Sequence, residues 1–477
     1  MGKDASGYDA SGTIPVLNPA TGEIIGHVPD AGTAGVDQAV AKARASFESG
    51  VWRRMPAHLR SKVLWRVADI VEQRLGELSE IEARDVGMSR ALARGFISTG
   101  LEMFRYYAGW CTKIHGQSTD LVTEGWGGPN LEYHAYTQLE PIGVVGLIIP
   151  WNGPLFCAMV KLAPALAAGC SCVLKSAEEA PLSILALDGI LREAGVPEGV
   201  ANIITGYGET TGAAMSAHPG IDKIAFTGST EVGKQIVQAS VGNLKRVTLE
   251  LGGKSPVLIF DDADLASAIP GAAMGVFMNS GQSCTAGSRI FAQRSVYDQV
   301  VTGLAAAAKG LRLGPSEDPN SDLGPLISAK QLERVKGLVD EGRRDGAVVV
   351  AGGAALDRPG YFFEPTVISD VRTDMRLYRE EIFGPVVVVL PFDDEDQVLA
   401  EANSTEYGLA AAVWTRDISR AHRVASRLDA GVIWVNCQAV FNPAIQFGGF
   451  KQSGWGAEYG WKGVEIYLRS KSIFTQL

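Results

Sequence analysis

The chain of 477 residues carries 43 Lys and Arg against 53 Asp and Glu, a formal net charge of −10, with 46% hydrophobic and 20% charged residues. At about 150 residues per domain this length holds roughly three structural units, and a chain of this size buries about three quarters of its unfolded surface without disulfides or metal. The acidic balance and the lack of a dense Lys/Arg block speak against a nucleic-acid partner, and ordinary use of Gly (56) and Pro (22) excludes disorder and collagen-like repeats.

The first residues lack a charged start followed by an apolar core, so no secretory signal is expected, and Met1 to Ser6 matches only the short N-terminal acylation pattern. Residues 34–115 read as helical, with Val63, Val67, Ile70, Val71, Leu75 and Leu78 at helix spacing. From 131 the pattern changes to β-rich runs at 133–139 and 143–149. The apolar stretch that begins with the second run is broken by Asn152, Pro154, Lys161 and Pro164, short of the roughly 18–20 apolar residues of a membrane span.

Strands are predicted at 172–175, 201–205, 223–227 and 247–251, with helical stretches between them, the pattern of an open parallel sheet with helices on both faces. Ligands of such a sheet sit at the carboxyl ends of its strands. A strand at 256–260 opens a second α/β series through 348–350, 386–390, 410–415 and 431–435, which places a domain boundary near 251–255. The tail at 465–477, with Ile466, Leu468, Ile473 and Phe474, is apolar enough to pair as a strand elsewhere. The six cysteines, Cys111, Cys157, Cys170, Cys172, Cys284 and Cys437, form no C-x-x-C pair, and the six histidines no H-E-x-x-H. The sequence therefore predicts no disulfide framework, no metal site and a reducing cytoplasm.

Six segments carry chemistry. Ile224 to Lys234 is an apolar strand turning through Gly228 and Ser229 into a helix, whose free N–H groups and positive dipole end suit a phosphate. Its G-x-x-x-x-G-K spacing fits the start of a P-loop, with Asp261 and Asp262 as an acidic strand end, but Gln235 stands where the Mg²⁺-binding hydroxyl belongs. Nucleotide hydrolysis therefore stays open beside a simple capped turn. Gly206 to Gly212 is a second glycine turn, one residue too long for G-x-G-x-x-G, and two such turns in one sheet favour a dinucleotide crevice. Lys175 and Glu178 add a cation and a carboxylate at a strand end, where the carboxylate accepts from ribose hydroxyls and repels a 2′-phosphate, favouring NAD over NADP.

Glu250 is a carboxylate among apolar residues at a strand end, where burial raises its pKa towards that of a general base; pairing with Lys254 or Arg246 is the plainer alternative. Cys284, in Asn279-Ser280-Gly281-Gln282-Ser283-Cys284-Thr285, has small polar neighbours and is the best nucleophile among the six, while Thr285 breaks the G-x-S-x-G elbow. Asn152, fixed between Pro150 and Pro154, offers an N–H donor for an oxyanion.

Pro150-Trp151-Asn152, Phe226-Thr227-Gly228-Ser229, Glu250-Leu251-Gly252-Gly253-Lys254, Gly281-Gln282-Ser283-Cys284 and Glu381-Ile382-Phe383-Gly384-Pro385 occur in one order, and together they resemble the aldehyde dehydrogenase superfamily. The likeness runs from Asn18-Pro19-Ala20-Thr21-Gly22 to Phe447-Gly448-Gly449-Phe450-Lys451 and on to Gly454. It implies an α/β fold of two open parallel-sheet domains, an NAD-binding one of 1–130 and 141–250 and a catalytic one of 251–445. A small β oligomerisation element at 131–140 and 465–477 would join subunits into a homodimer or homotetramer.

The same resemblance implies that Cys284 adds to the aldehyde, that Asn152 and the Cys284 N–H hold the oxyanion, that Glu250 activates the hydrolytic water, and that Lys161 and Glu458 relay protons. For the cofactor it implies Lys175 and Glu178 at the adenosine ribose, Ser229 at the pyrophosphate, Glu381 at the nicotinamide ribose and Phe383 against the ring. Ile148, Ile149, Pro150, Trp151, Ala177, Gly208, Gly212, Phe226, Gly228, Val232, Leu251 and Gln331 would surround it.

Gly153 departs from the aromatic common after Trp151-Asn152, and Ser283 and Thr285 are small, which predicts a wide substrate mouth. With Phe156, Val160, Met278, Phe441 and Phe447 as apolar wall, bulky aryl or medium-to-long aliphatic aldehydes are expected over short or charged ones. A CoA-acylating relative would not need Glu250, a P-loop NTPase would need Mg²⁺ and ignore aldehydes, and a non-catalytic protein of this fold would be expected to lack Cys284, Glu250 or Asn152.

Overall fold

The apolar spacing over 34–115 is realised as four helices, Gly32–Ser49, Ala57–Gln73, Leu75–Val86 and Arg90–Ala108, in a computed structural model that describes residues 12–123 and 131–477. The acylation-like start and the part of the first predicted domain at 124–130 lie outside the described residues. Gly50 and Gly87 end two of the helices in the left-handed conformation, φ +80° and +87°, which a side chain resists. Leu64, Val67, Ile97, Leu101 and Phe104 share one core with Leu155, Met159, Leu162 and Leu166 of helix Pro154–Ala168. Each of these fully buried side chains contributes about 1.5–3 kcal/mol.

That core lies on a six-stranded sheet in the order Gly454–Trp455, Arg246–Glu250, Lys223–Thr227, Val144–Ile148, Ser171–Lys175, Ala201–Ile204. Its five longer strands are parallel. Val144–Ile148 is the first of them in sequence and lies in the middle, with its successors added first on one side and then on the other. The resulting switch point, between Val144–Ile148 and Lys223–Thr227, is where an open sheet of this kind leaves a crevice for a ligand.

Leu251 to Ser255 lead into a second sheet of seven strands, Val348–Ala351, Thr366–Ser369, Val386–Phe392, Arg289–Gln293, Pro256–Ile259, Ala410–Trp414 and Val432–Val435, parallel except for the first. A third sheet is antiparallel: Leu468–Gln476 pairs with Leu131–Pro141 from Leu468 opposite Pro141 to Gln476 opposite Tyr133, and Ser118–Thr123 flanks the other edge. The sequence assigns residues 446–464 to no unit. Their chain returns to the first sheet, where Gly454 pairs with Glu250 and Trp455 with Leu249.

Some strands escape the sequence reading. Gly12–Leu17 and Ile24–Asp30 form an antiparallel hairpin whose Ile14, Val16 and Val28 pack against Leu182 and Leu185, its pattern interrupted by Pro15 and Pro29. Arg289–Gln293 is central to the second sheet yet opens with a charge. The fully buried Arg289 guanidinium donates to the carbonyls of Lys254, Glu401 and Ala402, which lets it sit in a strand. Thr366–Ser369 is buried and short, without alternation to mark it.

Candidate active site

The conspicuous sequence motifs gather at strand ends. Beyond Val144–Ile148 the chain runs through Ile149, Pro150, Trp151, Asn152 and Gly153 into helix Pro154–Ala168, and the Ile149 N–H donates to Lys175 O at the end of the next strand (3.1 Å). Asn152 is half-buried. Its Nδ2 donates to Gln282 O at 2.9 Å, and Asn279 Nδ2 donates to Asn152 O at 2.8 Å, so the loop is laced to the segment ahead of Cys284. An amide nitrogen has two hydrogens, and the second remains available.

The turn before Cys284 is strained. Asn279 and Ser280 take φ +53° and +54° and Gly281 follows at +70°; non-glycine residues resist this conformation by about 1–2 kcal/mol each. A Cβ on Gly281 would lie 1.9 Å from Gly384 O, so the backbone itself packs against the Phe383 segment. Ser280 Oγ donates to Gly324 O at 2.7 Å, and the buried Gln282 accepts from the Ile327 N–H and donates to Asn279 O. These bonds hold the turn in place. Cys284 emerges half-buried, and a Cβ on Gly253 would come within 2.4 Å of Cys284 O, so the chain after Glu250 closely approaches the thiol segment. Burial, then the fields of Glu381, Cys157 and Glu250, push the Cys284 thiol well above its ordinary pKa.

Glu250 is buried, one carboxylate oxygen has no hydrogen-bond partner among the described residues, and burial together with the like charge of Glu458 raises its pKa, with Lys161 opposing. The plainer alternatives for Glu250 fall away: Lys254 Nζ donates to Leu377 O, and Arg246 donates to Leu468 O. Glu458 instead accepts from the buried Lys161 Nζ at 2.5 Å and is fixed by paired backbone bonds with Phe447.

Lys175 Nζ lies 3.2 Å from Glu178, whose other oxygen accepts from the Gly208 N–H at 3.2 Å. A Cβ on Gly208 would stand 3.8 Å from Glu178, and one on Gly212 3.8 Å from Lys175, so both glycines lie in contact distance of these polar groups. Ser229 caps helix Thr230–Ser240 by accepting from the Val232 N–H, and Val232 is exposed. Glu381 accepts from the Gly253 N–H at 2.9 Å, and burial pushes its pKa up to about 7. Phe383, at φ +56°, meets Trp151 edge-on at 5.3 Å, and Gln331 Nε2 donates to the Ile382 and Phe383 carbonyls. Ile148, Ala177, Phe226 and Leu251 are buried side chains, with Phe226 and Leu251 in the core beneath the crevice and Gly228 folded over the Phe226 ring; Pro150 is half-buried.

The P-loop reading is overturned. Gly228 belongs to the first sheet and the acidic pair to the second, where Asp262 accepts from Thr415, Arg416, Asp417 and Arg420 as a clamp on a neighbouring strand end. Lys234 stands exposed on its helix. Among the described residues no group of three or more His, Cys, Asp or Glu could hold a metal ion.

Gly153, from which a wide mouth is expected, stands beside Phe96: a Cβ there would lie 3.2 Å from this ring of helix Arg90–Ala108, which meets Phe156 at 5.9 Å. Phe96 escaped the sequence reading because a helical spacing does not say which distant loop its side chain covers. Val160 is buried and Met278 half-buried; Phe441 and Phe447 belong to a ring series from Trp434 to Tyr459, with successive centroids 5.8, 5.8 and 5.5 Å apart. Ser283 and Thr285 hydroxyls lie 3.1 Å apart beside the thiol.

Comparison with known proteins agrees with this geometry. The aldehyde dehydrogenase family model matches residues 8–473. Human retinal dehydrogenase 2 is 47% identical over 471 residues, 97% of this chain and 89% of that protein. The mitochondrial benzaldehyde dehydrogenase of Antirrhinum majus is 44% identical over 471 residues, 98% of this chain and 87% of that protein. An NAD⁺ complex of aldehyde dehydrogenase from Bacillus cereus superposes with a TM-score of 0.95 at 46% identity, covering 98% of this chain and 94% of that one. On sequence and on structure alike, the chain belongs to the aldehyde dehydrogenase family.

Proposed function

We propose that the protein oxidises an aldehyde to a carboxylic acid with NAD, through a covalent adduct on Cys284. The observation that carries this reading is the buried Glu250 carboxylate, with an oxygen left unpartnered among the described residues and a field that reaches the Cys284 thiol. The Cys284 thiolate adds to the carbonyl carbon, and the C=O pair moves onto oxygen, where the second Asn152 Nδ2–H and the Cys284 backbone N–H hold it. NAD would supply, when bound, the acceptor for the hydride of the adduct's C–H bond; as that bond breaks, the oxyanion pair re-forms C=O and the Cys284 adduct becomes a thioester. Glu250 then takes a proton from water as its oxygen attacks the thioester, the C–S bond breaks, and the thiolate returns. Glu458, held by Lys161, lies close enough to raise Glu250 and passes that proton on.

The residues present fit the dinucleotide: a cation and carboxylate beside bare glycines at one strand end, a capped helix start at another, and Glu381 with Phe383 opposite Trp151. Glu178 at the ribose disfavours a 2′-phosphate, so NAD is preferred to NADP. The six-stranded sheet with the N-terminal helices serves as the cofactor unit and the seven-stranded sheet as the catalytic one. The exposed Tyr136 and Phe474 on the three-stranded sheet support its role in a homodimer or homotetramer. Six free thiols suit a reducing cytoplasm, and no described helix is long and apolar enough to cross a membrane.

NADH formation across an aldehyde panel tests the reading, with CoA omitted to separate hydrolysis from CoA acylation. Asn152→Ala lowers the rate of the hydride step by roughly 10²–10³, the value of one oxyanion donor, in pre-steady-state NADH measurements. The substrate class is aromatic or medium-to-long apolar, in keeping with the aryl wall and with relatives named for retinal and benzaldehyde. On this reading kcat/KM for benzaldehyde and octanal exceeds that for acetaldehyde and betaine aldehyde, and the opposite order ends it. Phe96→Ala lowers the benzaldehyde-to-acetaldehyde ratio of kcat/KM roughly tenfold, since an aromatic contact is worth about 0.5–1.5 kcal/mol beyond its area.

A further inference from the structure

Helix Leu75–Val86 carries two carboxylates with no exposed surface, Glu82 and Asp85, and neither belongs to the chemistry above. Burying a carboxylate is costly unless it is hydrogen-bonded. Both oxygens of Glu82 accept from the Leu155 N–H, at 3.3 and 3.2 Å, and Asp85 accepts from the Leu182 N–H at 2.6 Å. Leu155 lies in the first turn of the helix that follows Asn152, and Leu182 begins the helix that follows the Lys175–Glu178 segment.

Both helices lack a cap of their own, because their cap positions hold Gly153 and Pro181. A side chain at 153 would press on the Phe96 ring, 3.2 Å from where its Cβ would stand. The free N–H groups of a helix start need an acceptor, and a carboxylate also favours the positive dipole end. Glu82 supplies that acceptor from behind the loop, while Asn279 and Gln282 grip Asn152 from the front. The segment from Asn152 to Leu155 is thereby held at both ends.

Resting on the reading that Asn152 is the oxyanion donor, we propose that Glu82 is a positioning residue: by accepting from the Leu155 N–H it fixes where Asn152 aims its amide. Displacing a reacting group by about 1 Å can cost about a hundredfold in rate.

The test measures the pre-steady-state burst of NADH, the steady-state KM for NAD and the thermal midpoint in Glu82→Gln, Glu82→Asp and Glu82→Leu. Glu82→Gln keeps an acceptor of the same reach and holds the burst within about threefold of wild type, while Glu82→Asp keeps the charge but withdraws the oxygens and slows it roughly ten- to a hundredfold. Glu82→Leu slows it at least as much, with KM for NAD unchanged. A role confined to charge would rank Asp above Gln and overturns the proposal.

In an Asn152→Ala background the Glu82→Asp change has less than about a twofold further effect, because coupled residues do not add. Independent, multiplying losses also overturn it. Glu82→Asp decides the matter even where Glu82→Leu does not fold. A wild-type protein that forms no NADH from any aldehyde refutes the oxidation reading itself, a result distinct from an active enzyme whose burst ignores Glu82.

Discussion

Cys284→Ser yields a protein that retains NAD binding by fluorescence titration but forms NADH from aldehyde at least roughly 10⁴-fold more slowly. In a constellation that acts as a unit, losing the nucleophile costs about as much as losing every member. Serine keeps the size and hydrogen-bonding capacity of the thiol but not its nucleophilicity, so the loss reports chemistry rather than folding. Four of the other five cysteines are disfavoured as substitutes. Cys111, Cys170 and Cys172 are buried, and desolvation raises the thiol pKa of each. Cys157 is pushed up to about 12 by burial, and Cys437 is half-buried against the core of the second sheet. Undiminished turnover in Cys284→Ser would refute the covalent route.

Glu250→Gln separates the two halves of the reaction. The first equivalent of NADH forms in a burst, because the adduct and the hydride step do not need the base, and steady turnover falls by roughly 10²–10⁴. A pH dependence accompanies it. Burial and Glu458 raise the Glu250 pKa, so at low pH the carboxyl is protonated and cannot accept from water; as pH rises through that pKa, the active carboxylate appears and thioester hydrolysis accelerates. The raised Cys284 thiol gives adduct formation the same upward trend. The two are distinguished by the hydrolytic phase, whose rise with pH is absent in Glu250→Gln. A burst lost together with turnover would move Glu250 into the first half-reaction.

Much of this site was legible because its chemistry lies at strand ends, where glycine turns, helix-capping residues and prolines mark the chain locally. Gly228 with Ser229, Gly208 with Gly212, and Asn152 between its prolines all announce themselves this way. What sequence could not give were contacts that only tertiary packing creates. Phe96 is one apolar residue of helix Arg90–Ala108, and Glu82 and Asp85 are two charges on helix Leu75–Val86, yet all three meet segments far along the chain, at Gly153, Leu155 and Leu182. Arg289 hid a central strand, because a charge there is tolerated only through carbonyls contributed by other segments. The acidic pair Asp261 and Asp262 imitated an NTPase, since a strand-end carboxylate looks the same whether it binds Mg²⁺ or ties a neighbouring turn.

The return of residues 446–464 to the first sheet bears on biosynthesis. Glu250 and Cys284 leave the ribosome well before Phe447, Glu458 and the short strand Gly454–Trp455 that borders the Glu250 backbone. Domains fold as units while translation proceeds, so a nascent chain already carries the Cys284 sulfur before Phe447 and Glu458 exist. On the mechanism proposed above, a polypeptide halted before residue 446 would add free aldehyde reversibly to this sulfur as a thiohemiacetal yet be incapable of turning it over, and only the late-emerging segment completes the site.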